Sequence, residues 1–374
     1  MNYNQKTPTP VSATRFGYLD AVRGIAAVMV IYLHIADHFL KHQIPLADWE
    51  YFAFFGAARI VDLGKIAVTM FFAVSGFVIP FSLMKRRNHP LTGFAIGRFF
   101  RLYPAYWLSI AGITAVLILA GDAPTAPQIL VNATMVQGFV GVENLQGLYW
   151  TLQIELVFYF LCAGLFFLGL LDKPVIPFLA SLGFLALSIV MAYARYETGK
   201  ALPVALPLAL FMMFFGMVWR NATLDGEVYA VRQSRILIAA FVLTIPLVSV
   251  FAYNFDAGNG ETWHRYTLSY FAAMLIFVLL TTVVKIQSPF FAWLGAISYS
   301  VYLFGWVCTS LLMTLFPALL YDAPAHLLVV LSILLTIVVS SVVYYGVEKP
   351  AIVMGRKVAS LVDQKIGGTR TEAI

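Results

Sequence analysis

Arg23-Gly-Ile-Ala-Ala-Val-Met-Val-Ile-Tyr-Leu-His34 is the stretch on which the reading of this chain turns. The ten residues between the arginine and the histidine carry no charge. Eleven positions make three helical turns plus about 20°, so both side chains leave the same helix face. The rise between them is about 16 Å, half the thickness of a bilayer core. An ionisable group at that depth in apolar sequence is costly, and by default it marks a functional site.

The rest of the chain has the same character. Of its 374 residues, 61% are hydrophobic and 11% charged, and the mean hydropathy is +0.85. Soluble domains carry about 25% charged residues, so this composition cannot cover a water-facing surface. Apolar runs of about 20 residues predict ten membrane helices. They are 18–40, 63–84, 101–121, 149–171, 174–194, 202–219, 236–255, 267–284, 290–316 and 326–347. No alternating strand pattern recurs, which argues against a β-barrel. The expected fold is an all-α integral membrane bundle of about ten transmembrane helices. It is flanked by an N-terminal tail, 1–17, and a C-terminal tail, 348–374; segments 1–16 and 365–374 read as disordered.

Charge gives this bundle an orientation. With an even number of spans and a cytoplasmic N-terminus, the inside segments hold seventeen of the twenty-four Lys and Arg residues and the outside segments six. That asymmetry places both termini in the cytoplasm, and it accounts for the net charge of +6 without nucleic acid as a partner. The first apolar run contains Arg23, His34 and Asp37 and lacks a small-residue cleavage site, so it reads as a span and not a leader. Cys162 and Cys308 fall within spans and read as small core residues. No Gly-rich nucleotide loop, internal repeat or metal-ligand cluster is present in the sequence, and no metal is expected.

Within this topology a few groups can do chemistry. His34 lies in the outer third of its span, where an imidazole can act as general base towards a hydroxyl; the alternative is a histidine bonded within the bundle. Glu155, in Tyr149-Trp-Thr-Leu-Gln-Ile-Glu155, lies about 9 Å below Tyr149. That matches the depth of His34, so Glu155 is expected to orient the imidazole. Arg98 and Arg101 share one helix face at the cytoplasmic boundary, and with Lys85, Arg86, Arg87 and Arg23 they suit a polyphosphate. Ser75, Tyr299 and Tyr302 add polar groups to two further spans, where helix packing is the competing role. His264 and His326 read as loop or interface residues.

Taken together, these segments resemble the membrane-bound acyltransferase-3 family. The resemblance rests on Leu19-Asp-Ala-Val-Arg23 with His34, Phe71-Phe-Ala-Val-Ser75-Gly-Phe77, and Arg98-x-x-Arg101-Leu-Tyr-Pro104. Trp150-x-Leu-x-x-Glu155-x-x-Phe-Tyr159, Ser298-Tyr-Ser-x-Tyr302-Leu and Glu348-Lys-Pro350 complete it. The resemblance implies transfer of an acyl group, commonly acetyl, from cytoplasmic acyl-CoA to a hydroxyl of a surface or exported glycan. It implies a catalytic role at His34 and CoA binding at Arg98 and Arg101. Acetyl-CoA is then a co-substrate and no bound cofactor is expected. The implied partners are a carbohydrate acceptor, the lipid bilayer of a bacterial inner membrane and glycan-assembly proteins. Many members carry a histidine three residues after the tyrosine that aligns with Tyr302; this chain has Gly305 there. Competing readings keep the chemistry with a small-molecule or lipid-linked sugar as acceptor, or replace it with a multi-pass transporter or flippase.

Overall fold

The computed structural model describes residues 16–84, 88–254 and 261–368. Ten of its helices are long and apolar enough to cross a membrane, and no strand occurs among the described residues. In chain order the helices are α1 (Gly17–Lys41), α2 (Asp48–Phe55), α3 (Leu63–Leu83), α4 (Pro90–Leu119), α5 (Ala126–Ala133), α6 (Trp150–Phe167) and α7 (Val175–Thr198). They continue with α8 (Ala205–Arg220), α9 (Val228–Tyr253), α10 (Trp263–Thr282), α11 (Pro289–Leu315), α12 (Ala318–Tyr321), α13 (Ala325–Val343) and α14 (Lys349–Gly368). Helices α2, α5 and α12 are short connectors; of the other eleven, all but α14, which continues from α13, are the spans the hydropathy predicts.

Glycine sets which spans touch most closely. A side chain at Gly24 would meet Leu294, and one at Gly295 would strike the backbone of Asp20, so α1 and α11 lie almost backbone to backbone. Gly76 and Gly216 do the same for α3 and α8. Helix α8 is buried continuously from Pro207 to Trp219, the pattern of a helix apolar on all sides at the centre of a bundle. Around it and α3 stand α7, α9 and α10, while α7 and α9 leave Leu179, Val190, Leu243 and other large apolar groups exposed. Cys162 and Cys308 are buried free thiols.

Two boundaries differ from the hydropathy reading. The third span does not begin near Arg98–Arg101: α4 starts at Pro90 and runs for 30 residues, about 45 Å. The tenth span does not end in an extended tail, because a π-turn at Tyr344–Glu348 leads directly into α14. These two extensions support each other. Gly355 of α14 packs on Phe100 of α4, and the His89 amide donates to Asp363 Oδ1 at 2.8 Å. Both are more polar than a span, and hydropathy windows therefore pass over them. The described chain begins and ends on the same side of the bundle, the side on which Arg98 lies. Lys85, Arg86 and Arg87 lie outside the described residues, as do segments 1–15 and 369–374.

Candidate active site

Arg23, Arg98 and Arg101 gather at one end of the bundle because α1, α3 and α4 run antiparallel in sequence there. Arg98 Nη2 donates to Ser82 Oγ at the end of α3 at 3.0 Å, and its guanidinium lies over the rings of Phe94 (5.3 Å) and Tyr159 (5.5 Å). Arg101 stands in the field of Glu348, Tyr159, Glu155 and Tyr299. Arg23 stands in the field of Arg101, Asp20, Glu348 and Glu155. All three arginines are half-buried, and none has a carboxylate within 4 Å among the described residues. Guanidiniums held this way, desolvated in part but not committed to a partner, can bind phosphates through bidentate charge-assisted hydrogen bonds.

Glu348 is the group at this end to which the sequence reading assigned no role. It is 1% exposed, its Oε2 accepts from Ser300 Oγ at 2.8 Å, and its Oε1 has no hydrogen-bond partner. The π-turn that closes α13 delivers it into the bundle, a kind of helix irregularity found often at functional sites. The signal was available in Glu348-Lys-Pro350: a carboxylate placed directly after an apolar run, with a proline behind it. Tyr299 is buried beside this group, but its hydroxyl donates to the Leu102 carbonyl at 2.9 Å.

His34 occupies the opposite end. Its half-buried ring lies 5.6 Å from that of Trp306 and has no hydrogen-bond partner among the described residues. Asp62 and Asp37 are the carboxylates that act on it electrostatically. Both are paired elsewhere, Asp62 with Arg265 at 2.7 Å and Asp37 with Arg59 at 2.6 Å. Gly305 explains the missing second histidine. A side chain there would run into Ile31 of α1, and the neighbouring Trp306 fills the space beside His34 instead. Ser75 on α3 is half-buried with an uncommitted hydroxyl. Tyr302 is buried, and its hydroxyl is spent on the Leu148 carbonyl (2.9 Å) and Thr151 Oγ1 (2.7 Å).

Glu155 does not join His34 as expected. Its Oε1 accepts from the Tyr159 hydroxyl, and it shares the field of Arg23 and Arg101. The depth estimate took Tyr149 as the outer surface, yet Tyr149 is fully buried and bonded to Ser109 and Gln146. The segment from α5 to the 3-10 turn at Gly147–Tyr149 lies above it, so α6 begins inside the bundle. Trp150 already meets Lys65 in the first turn of α3, and five further residues carry Glu155 about 8 Å towards the arginines.

His326, a loop or interface residue by the sequence, belongs to a hydrogen-bonded chain that reaches α1. Tyr32 Oη lies 3.1 Å from His326 Nε2, and His326 Nδ1 lies 3.3 Å from Glu50 Oε1. This ties α1, α2 and α13 together. Burial opposes the charge of Glu50, but hydrogen bonds from the His326 backbone and ring and the Ala47 amide hold its carboxyl below the usual range.

The fold and the site together define a multi-pass membrane protein with three arginines lacking a close carboxylate and a histidine without a hydrogen-bond partner, among the described residues, at opposite ends of one bundle. The family model described as "Acyltransferase domain" (Acyl_transf_3) matches residues 16–345, and the chain belongs to this acyltransferase-3 family. The exopolysaccharide production protein ExoZ of Rhizobium meliloti is 26% identical over 309 residues, 79% of this chain and 91% of that protein. The acyltransferase MdmB of Streptomyces mycarofaciens is 28% identical over 162 residues, 40% of this chain and 39% of its own. Nodulation protein 10 of Rhizobium leguminosarum bv. viciae is 27% identical over 162 residues, 37% of this chain and 41% of that protein. No solved structure matches the chain.

Proposed function

We propose that this membrane acyltransferase moves an acetyl group from acetyl-CoA, bound at the arginine end on the cytoplasmic face of a bacterial inner membrane, to a hydroxyl of an exported or surface glycan. The observation that carries this reading is the division of labour along α1. Among the described residues, Arg23, Arg98 and Arg101 lie at one end without carboxylate partners, and His34, about 16 Å from Arg23 along α1, has no hydrogen-bond partner. Both termini face the cytoplasm in this reading.

The CoA phosphates dock on Arg98 and Arg101 with Arg23 beside them, and the extended pantetheine arm reaches up the bundle. Glu155 and Glu348 supply the negative field in which Arg23 and Arg101 stand. His34 takes the proton of the acceptor hydroxyl. The oxygen attacks the thioester carbonyl, the carbon–sulfur bond breaks, and the imidazolium returns its proton to the departing thiolate. Ser75 lies on the path between the two ends. Tyr299 and Tyr302 hold α11 to α4 and α6 and so shape the passage. A polysaccharide acceptor is favoured because the likeness to the exopolysaccharide production protein extends over 91% of that protein.

The experiment is a comparison of O-acetyl content in surface polysaccharide from cells with and without the gene. It is paired with label transfer from radioactive acetyl-CoA by the purified protein. Loss of O-acetyl groups on deletion, restored by the wild-type gene and not by His34→Ala, is the expected result. Unchanged acetylation in the deletion strain together with no label transfer in vitro would refute it.

A further inference from the structure

Arg220 ends α8 at the arginine end of the bundle, outside the group formed by Arg23, Arg98 and Arg101. Its Nη1 donates to the Phe77 carbonyl of α3 at 3.0 Å. Its guanidinium lies 3.9 Å from the ring centre of Phe81, with Phe77 at 5.6 Å and Phe16 at 5.7 Å. Arg220 is half-buried and has no carboxylate within 4 Å among the described residues; Asp225 acts on it through its field alone. One of the five guanidinium N–H groups is spent on Phe77, and the others have no partner among the described residues. Positive-inside charge needs no such anchoring: Arg232 and Arg235 of α9 are simply exposed.

A second cation faces the same spot. Tyr18 of α1 stands in the field of Arg220, and the ammonium of Lys285, exposed just beyond α10, lies 5.6 Å from the Tyr18 ring centre. The last turn of α3 joins this pair to the other arginines. Arg98 donates to Ser82 Oγ while Arg220 lies on Phe81, so consecutive residues of one helix carry the two guanidiniums. Consecutive side chains leave a helix about 100° apart, which puts the two cations on neighbouring flanks of α3. A single phosphate would engage one flank. A ligand with two anionic groups on a short, stiff spacer would engage both, each through charge-assisted hydrogen bonds. Coenzyme A has that form, with its diphosphate and its 3′-phosphate held a ribose apart.

We propose that Arg220 and Lys285 form the subsite for the 3′-phosphate of coenzyme A, leaving the diphosphate to Arg98, Arg101 and Arg23. This subsite rests on the acyl-CoA reading given above. The full-length protein, purified in neutral detergent, is titrated calorimetrically with coenzyme A and with 3′-dephospho-coenzyme A. The two ligands differ by that one phosphate.

The wild type should bind coenzyme A about ten-fold or more tightly than its dephospho form, the worth of a charged hydrogen bond. Arg220→Met should bring that ratio close to one by weakening coenzyme A alone, and Arg220→Lys should keep part of it. Lys285→Met should lower the ratio several-fold, whereas Arg101→Ala should weaken both ligands and preserve it. Equal affinity of the wild type for the two ligands, with acetyl transfer intact, overturns the subsite and leaves the acyl-CoA reading standing. Binding of neither ligand overturns both. A lower melting temperature in Arg220→Met with an unchanged ratio makes Arg220 a clamp on α3 and overturns the subsite. So does a ratio lost in Arg101→Ala and kept in Arg220→Met. Should Arg220→Met fail to fold, the exposed position decides: an unchanged ratio in Lys285→Met overturns the subsite. Stabilisation by phosphatidylglycerol that depends on Arg220, without any preference for the 3′-phosphate, would assign these cations to a lipid headgroup and also overturn it.

Discussion

The two ends of α1 hold arginines in opposite ways. At the His34 end, Arg59, Arg195 and Arg265 are paired with Asp37, Glu261 and Asp62, and Asp62 also caps α3 by accepting the Lys65 amide at 2.8 Å. At the other end, Arg23, Arg98 and Arg101 are half-buried, and no carboxylate lies within 4 Å of them among the described residues. A paired arginine in a membrane bundle is part of the scaffold, since removing one member strands the other charge. An arginine left open keeps its donors for a ligand. Pairing therefore separates the two roles where burial and sequence position do not.

Substitutions at the two ends should break differently. His34→Ala should lower acetyl transfer by about 10²–10⁴-fold, the usual contribution of a general base, while acetyl-CoA binding to the purified variant is retained. Arg265→Ala should destabilise the fold by about 3–5 kcal/mol by leaving Asp62 unpaired. It should lower the melting temperature in detergent and leave the KM for acetyl-CoA near wild type in the surviving folded fraction. Arg101→Ala should do the converse: a KM for acetyl-CoA raised about ten-fold or more, consistent with about 1.5–3 kcal/mol for a charged hydrogen bond, with little change in melting temperature. A similar melting loss in both arginine variants would dissolve the distinction between the ends.

Glu155→Gln sharpens the comparison further. With Glu155 placed among the arginines, the variant should shift the KM for acetyl-CoA several-fold and leave the pH profile of kcat where His34 sets it. A displaced pH profile with unchanged KM would return Glu155 to the histidine. The smallest effect concerns Glu50. Its carboxyl is held below its ordinary range, so its stabilising bonds to His326 are complete above the ordinary pKa of 4.5 and are lost as pH falls through the lower, folded value. The melting temperature of the wild type should exceed that of Glu50→Gln at pH 5–6, and the gap should close on acidification below about pH 4.

Much of this was legible beforehand for a specific reason. Each span's backbone bonds are satisfied within the span, so local hydropathy decides where helices lie without knowledge of neighbours. The relation of Arg23 to His34 is equally local, because one continuous helix sets it. Glu155 was misplaced because its depth was counted from Tyr149, and the burial of Tyr149 depends on the segment from α5 to the 3-10 turn lying above it. Glu348 and the Tyr32–His326–Glu50 chain were passed over because their partners are distant in sequence, 48 residues away for Ser300 and 276 for Glu50 with His326.

By itself, the amino-acid sequence determined a ten-span helical bundle and the arginine-to-histidine spacing on α1, which follow from residue type and local periodicity, while the acyltransferase family came from the resemblance its motifs carry. The tertiary structure decided which charges are paired and which stand open, where Glu155 faces, and that Lys65 lies over the rings of Trp150 and Tyr266. Those are properties of contacts between helices. In a medium without water, the free energy of a charged or polar group depends on which neighbouring helix supplies its partner, and no single span carries that information.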